Sequence, residues 1–563
     1  MKFQTALVAV LTLVLGICCF GQDVTFNKII GRNPNSPELR VRLKVAKRNH
    51  TTFAKNIKPG IGNDWAVGFG ATSAGNAMLF LQYPGTWVTP NGAPACTDYE
   101  VAPANGTPVV GGQANVLILA NLYRGGTAAN PGLCGVGTAT VQAAYAVGTT
   151  PLGGSSPTFS FEGATKGTTF AILERANAKV HIVTVGTGGT AAAAKAPTET
   201  VIDYTNAAVT HCAAGTVHTA MHSNVWVDYS TDEGYVGDDA GRLYHISGIF
   251  NGARVVDFCT TINGPAYIAF PEHLYVGGID YVMFISNGRR LYVTQVNTAR
   301  TGFTNSQDVM LSSIVGGITD DIIIDSDDNR GYVWTNHDAT GANAALYQIQ
   351  LLDSVGDPPT ISAELNLGPV ETTSTGTTNG LYVIGDFDHT FYMSGAGAAN
   401  ATGYTEVYPT GITGAPALAS FQFDSTGVIT GFTTMTANTT INPASGTITG
   451  NQVTNILEAY DSTAAADMLF VGTGNGTATN ANKVSNFDIT TPLTANGTGP
   501  TVGVTNISGG TSAMVLDWED SGLGNQTQNI YFGNLATPNP TKCGGTSPNF
   551  DSCIIKLQDA GLN

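Results

Sequence analysis

Short apolar runs broken by Gly, Asn, Asp and Thr recur from about residue 61 to the C-terminus. The clearest stretch is 225–246, VWVDYSTDEGYVGDDAGRLYHI. It contains three strand signals, VWVDY, GYVG and RLYHI. Val, Ile and Tyr in such runs suit a pleated, half-buried surface, and the intervening DEG and DDAG supply turn residues. The pattern returns at 322–349. Five residues separate Asp228 from Gly234-Tyr235-Val236, as five separate Asp325 from Gly331-Tyr332-Val333. This unit reads as one blade of a β-propeller.

Similar groups of strand signals follow one another at roughly 50–60 residues, with longer steps where the connections lengthen, as in a propeller or solenoid. They begin at Ala77, Thr158, Val225, Glu272, Asp321, Gly380, Asn455 and Ala513. The sixth group includes Thr390–Ser394 as a strand, and a Thr/Asn/Gly-rich insert at 424–452 follows it. The last group, Ala513–Trp518, Asn529–Gly533 and Cys553–Leu557, is one strand short. An open sheet edge is a liability, and Asp64–Gly70 (DWAVGFG) can supply the missing strand. The expectation is an all-β chain forming a single β-propeller over 61–563, eight-bladed with seven as the alternative. An N-terminal strand closes its ring. The mature chain has no long amphipathic helix pattern.

Composition adds a location. Charged residues are 12% of the chain and apolar residues 42%, with 69 Gly. The charged share is about half that of an ordinary soluble domain. Hydroxyl and amide groups therefore make the surface polar, as in a turn-rich exported protein. Residues 1–21 read as a signal peptide, with Lys2 before the apolar run Ala6–Cys18 and Gly21 before the expected cleavage point. No later run approaches the roughly 18–20 residues of a membrane-spanning helix. The expected location is secreted, extracellular or at the cell surface, with the periplasm as an alternative.

Six cysteines remain after that segment, and an even number in an exported chain points to disulfides. The pairing expected is Cys543–Cys553, Cys96–Cys134 and Cys212–Cys259. Residues 22–60 form a basic segment with nine Lys/Arg against Asp23 and Glu38. Apart from this segment and Lys2, the chain has 14 basic and 39 acidic side chains. The segment reads as a strap on an acidic body or a leader, with adhesion to an anionic surface as the functional alternative. So acidic a body excludes nucleic acid as a partner, since that requires a basic footprint.

Candidate chemistry is sparse. HCAAGTVHTAMH places His211, Cys212, His218 and His222 close together, a donor set suited to zinc or copper. It lacks the general base of HExxH, because position 219 is Thr. Asp320, Asp321, Asp325, Asp327, Asp328 and Asn329 are the densest oxygen supply, and Ca²⁺ is the ion that Asp325, Asp327 and Asn329 would hold. Asp228, Asp232, Asp238 and Asp239 form a lesser version. In both places the plain reading is that these residues build hairpin turns. No other cofactor is expected. Glu162, Glu174, Glu272 and Asp386 are carboxylates a glycosidase could pair. Trp87, Trp226, Trp334, Tyr392 and Trp518 could stack on sugars, but read more simply as packing between blades. No nucleophile elbow or P-loop is present, and the GTGNG run at 472–476 is not followed by a helix.

Several segments together resemble an uncharacterised family of secreted bacterial β-propeller proteins. They are DWAVGFG, NVLILANLYRG, LCGVGTATVQAAYAVG, SFEGATKGTTFAILE, DYSTDEGYVGDDAGRLYHISGIFNG, EAYDSTAAADMLFVG, NIYFGNLATPNPTKCGG and SCIIKLQDAGLN. The resemblance covers most of 60–563 and implies a propeller and export, but no activity. His211–His222 and the 424–452 insert depart from the family pattern. In general shape such chains look like eight-bladed pyrroloquinoline-quinone dehydrogenases. This chain lacks that group's adjacent cysteine pair in its mature part and has no regular Trp docking motif. The function expected is therefore a non-enzymatic binding or surface-interaction module for a glycan, protein or cell-surface ligand. The alternatives are an extracellular carbohydrate-active hydrolase or lyase, a divergent quinoprotein, and a self-assembling surface protein.

Overall fold

The repeated Gly-Tyr-Val unit forms the second strand of two four-stranded sheets, in matching register. Val227 pairs with Gly234 and Asp228 with Glu233, just as Ile324 pairs with Gly331 and Asp325 with Arg330. A computed structural model describes strands 61–68 and 80–82 and most of 96–559. Its larger gaps are 206–219, 370–384, 408–416, 435–455, 473–482, 491–502, 506–513, 519–527 and 534–552. Among the described residues there are eight four-stranded antiparallel sheets, seven of which take their strands in chain order. The fold is all-β, a β-propeller. The eighth sheet runs Val515–Trp518, Gln528–Gly533, Cys553–Asp559 and then Ile61–Gly68. Ile61 pairs with Asp559 and Gly68 with Cys553, so the strand at 61–68 lies beside the last strand described.

The repeated turn has a mechanical explanation. Asp232 and Asn329 each hold a left-handed backbone, with φ of 57° and 51°. Asn and Asp tolerate that region better than most residues. Their carbonyls accept Ile249 N at 3.0 Å and Leu351 N at 2.7 Å. The aliphatic side chains of Ile249 and Leu351 then lie over Gly234 and Gly331, where a Cβ would meet them at 2.7 and 3.1 Å. Glycine at that position leaves room for the chain that leaves the third strand.

Burial is greatest toward the first strands and falls toward the fourth. Trp226–Asp228 and Ile323–Asp325 are wholly buried, whereas Thr198–Asp203 is mostly exposed. The apolar core lies between neighbouring sheets. One cluster joins Tyr99 and Val101 of the first sheet to Phe159 and Phe170 of the second. Another joins Leu117 to Ile530 and Phe532 of the eighth sheet. Burying large side chains at these seams stabilises the fold by about 1.5–3 kcal/mol each.

Three details differ from the sequence reading. Residues 389–394 are a helix, not a strand. In this helix, α1 (His389–Ser394), Asp388 caps the N-terminus by accepting Phe391 N at 2.8 Å. The 424–452 segment begins inside the sixth sheet, because Ile429–Thr434 pairs with Ala417–Phe423 as its fourth strand. Asp424 builds the connecting turn by accepting Thr426 N and Val428 N. The fourth sheet has a further strand, Phe303–Met310, whose FTNSQDVM is too polar for the apolar pattern to reveal.

Cys96 and Cys134 form a disulfide that ties the second strand of the first sheet to the connection after its third. Cys259 and Cys553 are also disulfide-bonded, while their expected partners Cys212 and Cys543 lie outside the described residues. Residues 1–60, with the expected signal peptide and basic segment, lie outside them as well. Among the described residues, no helix is long and apolar enough to cross a membrane.

Candidate functional site

The sequence-derived metal candidates do not come together among the described residues. His211, Cys212, His218, His222 and Asp327 lie outside them. Asp325 is buried, and its Oδ1 accepts Asp328 N at 3.3 Å. Asn329 is the left-handed turn residue described above. Asp238 is wholly buried and likewise builds a turn. It accepts Ala240 N, Arg242 N and the Tyr244 hydroxyl at 2.9, 2.8 and 2.7 Å. Among the described residues, no group of three or more His, Cys, Asp or Glu has a metal-holding arrangement.

The aromatic candidates pack between sheets. Trp226 stacks on His273 of the next sheet with ring centroids 5.2 Å apart. Trp334 donates its indole N–H to Thr405 of the sixth sheet. Tyr392 donates to Asp386. Trp87 lies outside the described residues, as do Glu162 and the side chain of Trp518. Glu272 is buried in the first strand of the fourth sheet.

Polar groups do converge, around the candidate carboxylates Glu174 and Asp386 and at further positions that sequence reasoning missed. The third strands of several sheets carry buried polar side chains, among them His181, His245, Gln348, Asn486 and Lys556. The available signal was a polar residue interrupting an apolar strand, as in KVHIVTV and RLYHI. His181 bridges two carboxylates, with Nδ1 at 2.8 Å from Glu199 and Nε2 at 3.0 Å from Glu174. Glu174 also accepts both the N–H and the hydroxyl of Thr149 and of Thr150, and Asn177 Nδ2. Burial opposes ionisation of Glu174, but His181 and these donors outweigh it and hold the carboxyl far below its usual range. Burial likewise opposes charge on His181, and the two carboxylates raise its pKa despite it.

A second network crosses from the third sheet to the fourth. His245 lies 3.3 Å from Glu233 and 3.2 Å from Asp257. Arg300, in the turn between the third and fourth strands of the fourth sheet, reaches back to Glu233 with two N–H groups and to Asp280 with a third. Asp280 is 2.9 Å from His273. Burial alone would raise the Glu233 carboxyl, but His245 and Arg300 bring it down to about 2. Arg330 stands where Glu233 stands in the other copy of the repeat. It too bonds the turn before a fourth strand, donating to Thr426 and Gly427 carbonyls of the sixth sheet.

The sixth and seventh sheets share a different kind of cluster. Asp386, Asp388, Glu458 and Asp467 meet at their seam. Glu406, in the second strand of the sixth sheet (Thr402–Val407), is also buried, and among the described residues neither of its oxygens has a hydrogen-bond partner. Burial alone pushes its carboxyl well above the usual range.

One exposed feature contrasts with these interior networks. The hairpin between Tyr99–Pro103 and Val116–Ala120 carries Val109 and Val110 at its tip, 54% and 65% exposed. Backbone bonds fix the tip internally (Val109 N to Gln113 O, 2.8 Å; Gly112 N to Val109 O, 2.9 Å). A loop of the second sheet clamps it from outside, through Gly111 N to Ala194 O at 2.7 Å and Ala194 N to Gly112 O at 2.8 Å.

No family model matches the sequence, and no curated protein matches it. Solved structures of similar arrangement include the Dos1 propeller, at 9% identity and a TM-score of 0.46 over 88% of this chain and 95% of that one. Saccharomyces cerevisiae Sqt1 aligns at 9% identity and a TM-score of 0.49 over 89% and 100% of the two chains. BamB from Moraxella catarrhalis aligns at 11% identity and a TM-score of 0.32 over 72% and 96%.

Proposed function

We propose that this chain is an exported β-propeller acting as a non-enzymatic binding or surface-interaction module for a glycan, protein or cell-surface ligand. The observation that carries this reading is the hairpin tip at Val109–Val110. It places two adjacent aliphatic side chains in solvent on a backbone pinned from two sheets. An exposed apolar contact that is already ordered costs little entropy on binding. The interior networks fit the same reading. His181 and His245 each have both ring nitrogens beside carboxylates of their own sheet, an arrangement that clamps strands.

The test compares purified wild type with a Val109→Asp/Val110→Asp variant on a glycan array and on the envelope fraction of the source cells. The reading expects wild-type retention, and at least about ten-fold weaker retention of the variant, equivalent to ~1.4 kcal/mol. The melting temperatures should match, because exposed substitutions of this kind change stability by about 0.5 kcal/mol or less. Equal retention of the two proteins, or turnover of glycosides by the wild type, would count against it.

A further inference from the structure

The seam between the sixth and seventh sheets holds four carboxyls, with Asp386, Asp388 and Asp467 buried and Glu458 partly so but with its Oε1 shielded from solvent, and no ion pair among the described residues reaches any of them. Two of the four make reciprocal bonds across the seam. Asp386 of the sixth sheet accepts Glu458 N of the seventh at 2.8 Å, while Asp467 of the seventh accepts His389 N at the start of α1 at 2.7 Å. Phe387 N and the Tyr392 hydroxyl complete Asp386, and Asp388 is occupied in capping α1. Glu458 and Asp467 are left with each other. Among the described residues no donor reaches Glu458 Oε1 or Asp467 Oδ1, and the two carboxyls face each other within hydrogen-bonding range.

Two carboxylate groups are both acceptors, so they can bond only if one of them holds a proton. We infer that the seam between the sixth and seventh sheets is a proton-operated latch, closed while the Glu458–Asp467 pair shares a proton and loosened when that proton leaves. The groups around the pair favour keeping it. Asp386 and Asp388 face it from the sixth sheet, and Tyr392 bonds to Asp386. Tyr404 lies in the adjoining apolar cluster with Leu469 and Val471. His389 at the start of α1 is the basic residue among the described ones on the adjoining element, and its backbone N–H donates to Asp467. Burial first, then the neighbouring acids, raises Glu458 well above the usual carboxyl range. Burial also takes Asp467 up to about 7 and Asp388 to about 6.

The sign follows from linkage. Free carboxyls titrate near pH ~4. A carboxyl raised in the folded state adds stability that is complete below that pH and is lost as pH rises toward about 7. The latch therefore loosens on going from acid to neutral, the reverse of ordinary acid denaturation.

Hydrogen exchange of the full chain at about pH 5 and about pH 8, corrected for intrinsic rates, tests this. One pK unit corresponds to a factor of ten. Protection of the Leu469 and Val471 amides should fall at least roughly ten-fold at the higher pH, with no such fall at Tyr235 and Val236. A Glu458→Gln variant keeps a hydrogen-bonding partner for Asp467 without the proton, and should remove most of the pH dependence. Should that variant not fold, the wild-type comparison alone decides. Equal wild-type protection at both pH values would overturn the inference. So would a Glu458→Gln variant with unchanged pH dependence, or a rise in seam protection on adding Ca²⁺ at fixed pH, which would make the bridging cation a metal.

Discussion

Trp334 Nε1 donates to Thr405 Oγ1 at 2.8 Å, from one sheet to the next, with both side chains buried. The indole thus packs at the seam and also satisfies its one polar atom there. Trp334→Ala should destabilise the protein by about 3–5 kcal/mol through cavity formation. Trp334→Phe should cost less, about 1–2 kcal/mol, mainly from the lost hydrogen bond. Chemical denaturation of the two variants checks both the order and the size.

The Glu233–Arg300 contact predicts an acid-side loss of stability. Glu233 is held at about 2 in the folded state, so its contribution is present above the free-carboxyl range and disappears as pH falls toward that value. The whole shift is worth at most about 3 kcal/mol. Melting temperature against pH should show Arg300→Gln losing stability at a higher pH than wild type, and differing less from it below pH ~2.

Close approach of neighbouring sheets sets the tolerance of the repeat's glycines. A Cβ on Gly237 would run into the Ile268 backbone carbonyl, whereas one on Gly234 meets only the mobile end of Ile249. Gly237→Ala should therefore cost about 1–3 kcal/mol and Gly234→Ala clearly less. Asn329→Val, which forces a β-branched residue into the left-handed region, should cost about 1–2 kcal/mol. Asn329→Gly should be close to neutral. Urea midpoints of the four variants distinguish these cases.

The Cys96–Cys134 bridge closes a loop with a sequence separation of 38 residues. Replacing both cysteines by Ser should lower stability by about 2–4 kcal/mol. Calorimetry under non-reducing conditions is the measurement. If the loss is absent, the packing of the first sheet holds this connection without the bridge.

Much of the fold was legible because a strand buried on both faces is an apolar run with turn residues at its ends. Val225–Ile246 and its partner at 322–349 show this directly. Phe303–Met310 was missed because its burial is only partial and its composition polar. His389–Ser394 reads as HTFYMS, whose aromatic residues suit a strand. A capping aspartate at 388 and packing of Phe391 on Phe387, with ring centroids 4.0 Å apart, make it a helix instead. The polar networks were hidden for another reason. Glu174 and His181 sit on neighbouring strands of one hairpin, but Glu233 and Arg300 are 67 residues apart, and only the placement of one sheet against the next joins them. Asp325 and Asn329 drew notice by crowding along the chain, and crowding is what a tight turn produces.

The pairing of Ile61–Gly68 with Cys553–Asp559 gives the chain its longest-range contact among the described strands. A ribosome delivers the strand at 61–68 long before its neighbour exists. Until residue 559 is available, that strand has no partner, and the eighth sheet exposes an unpaired edge. High contact order makes such a step slow. A nascent or truncated form of this protein would carry an adhesive edge that the finished molecule conceals, so its hazard of aggregation belongs to the period before synthesis ends.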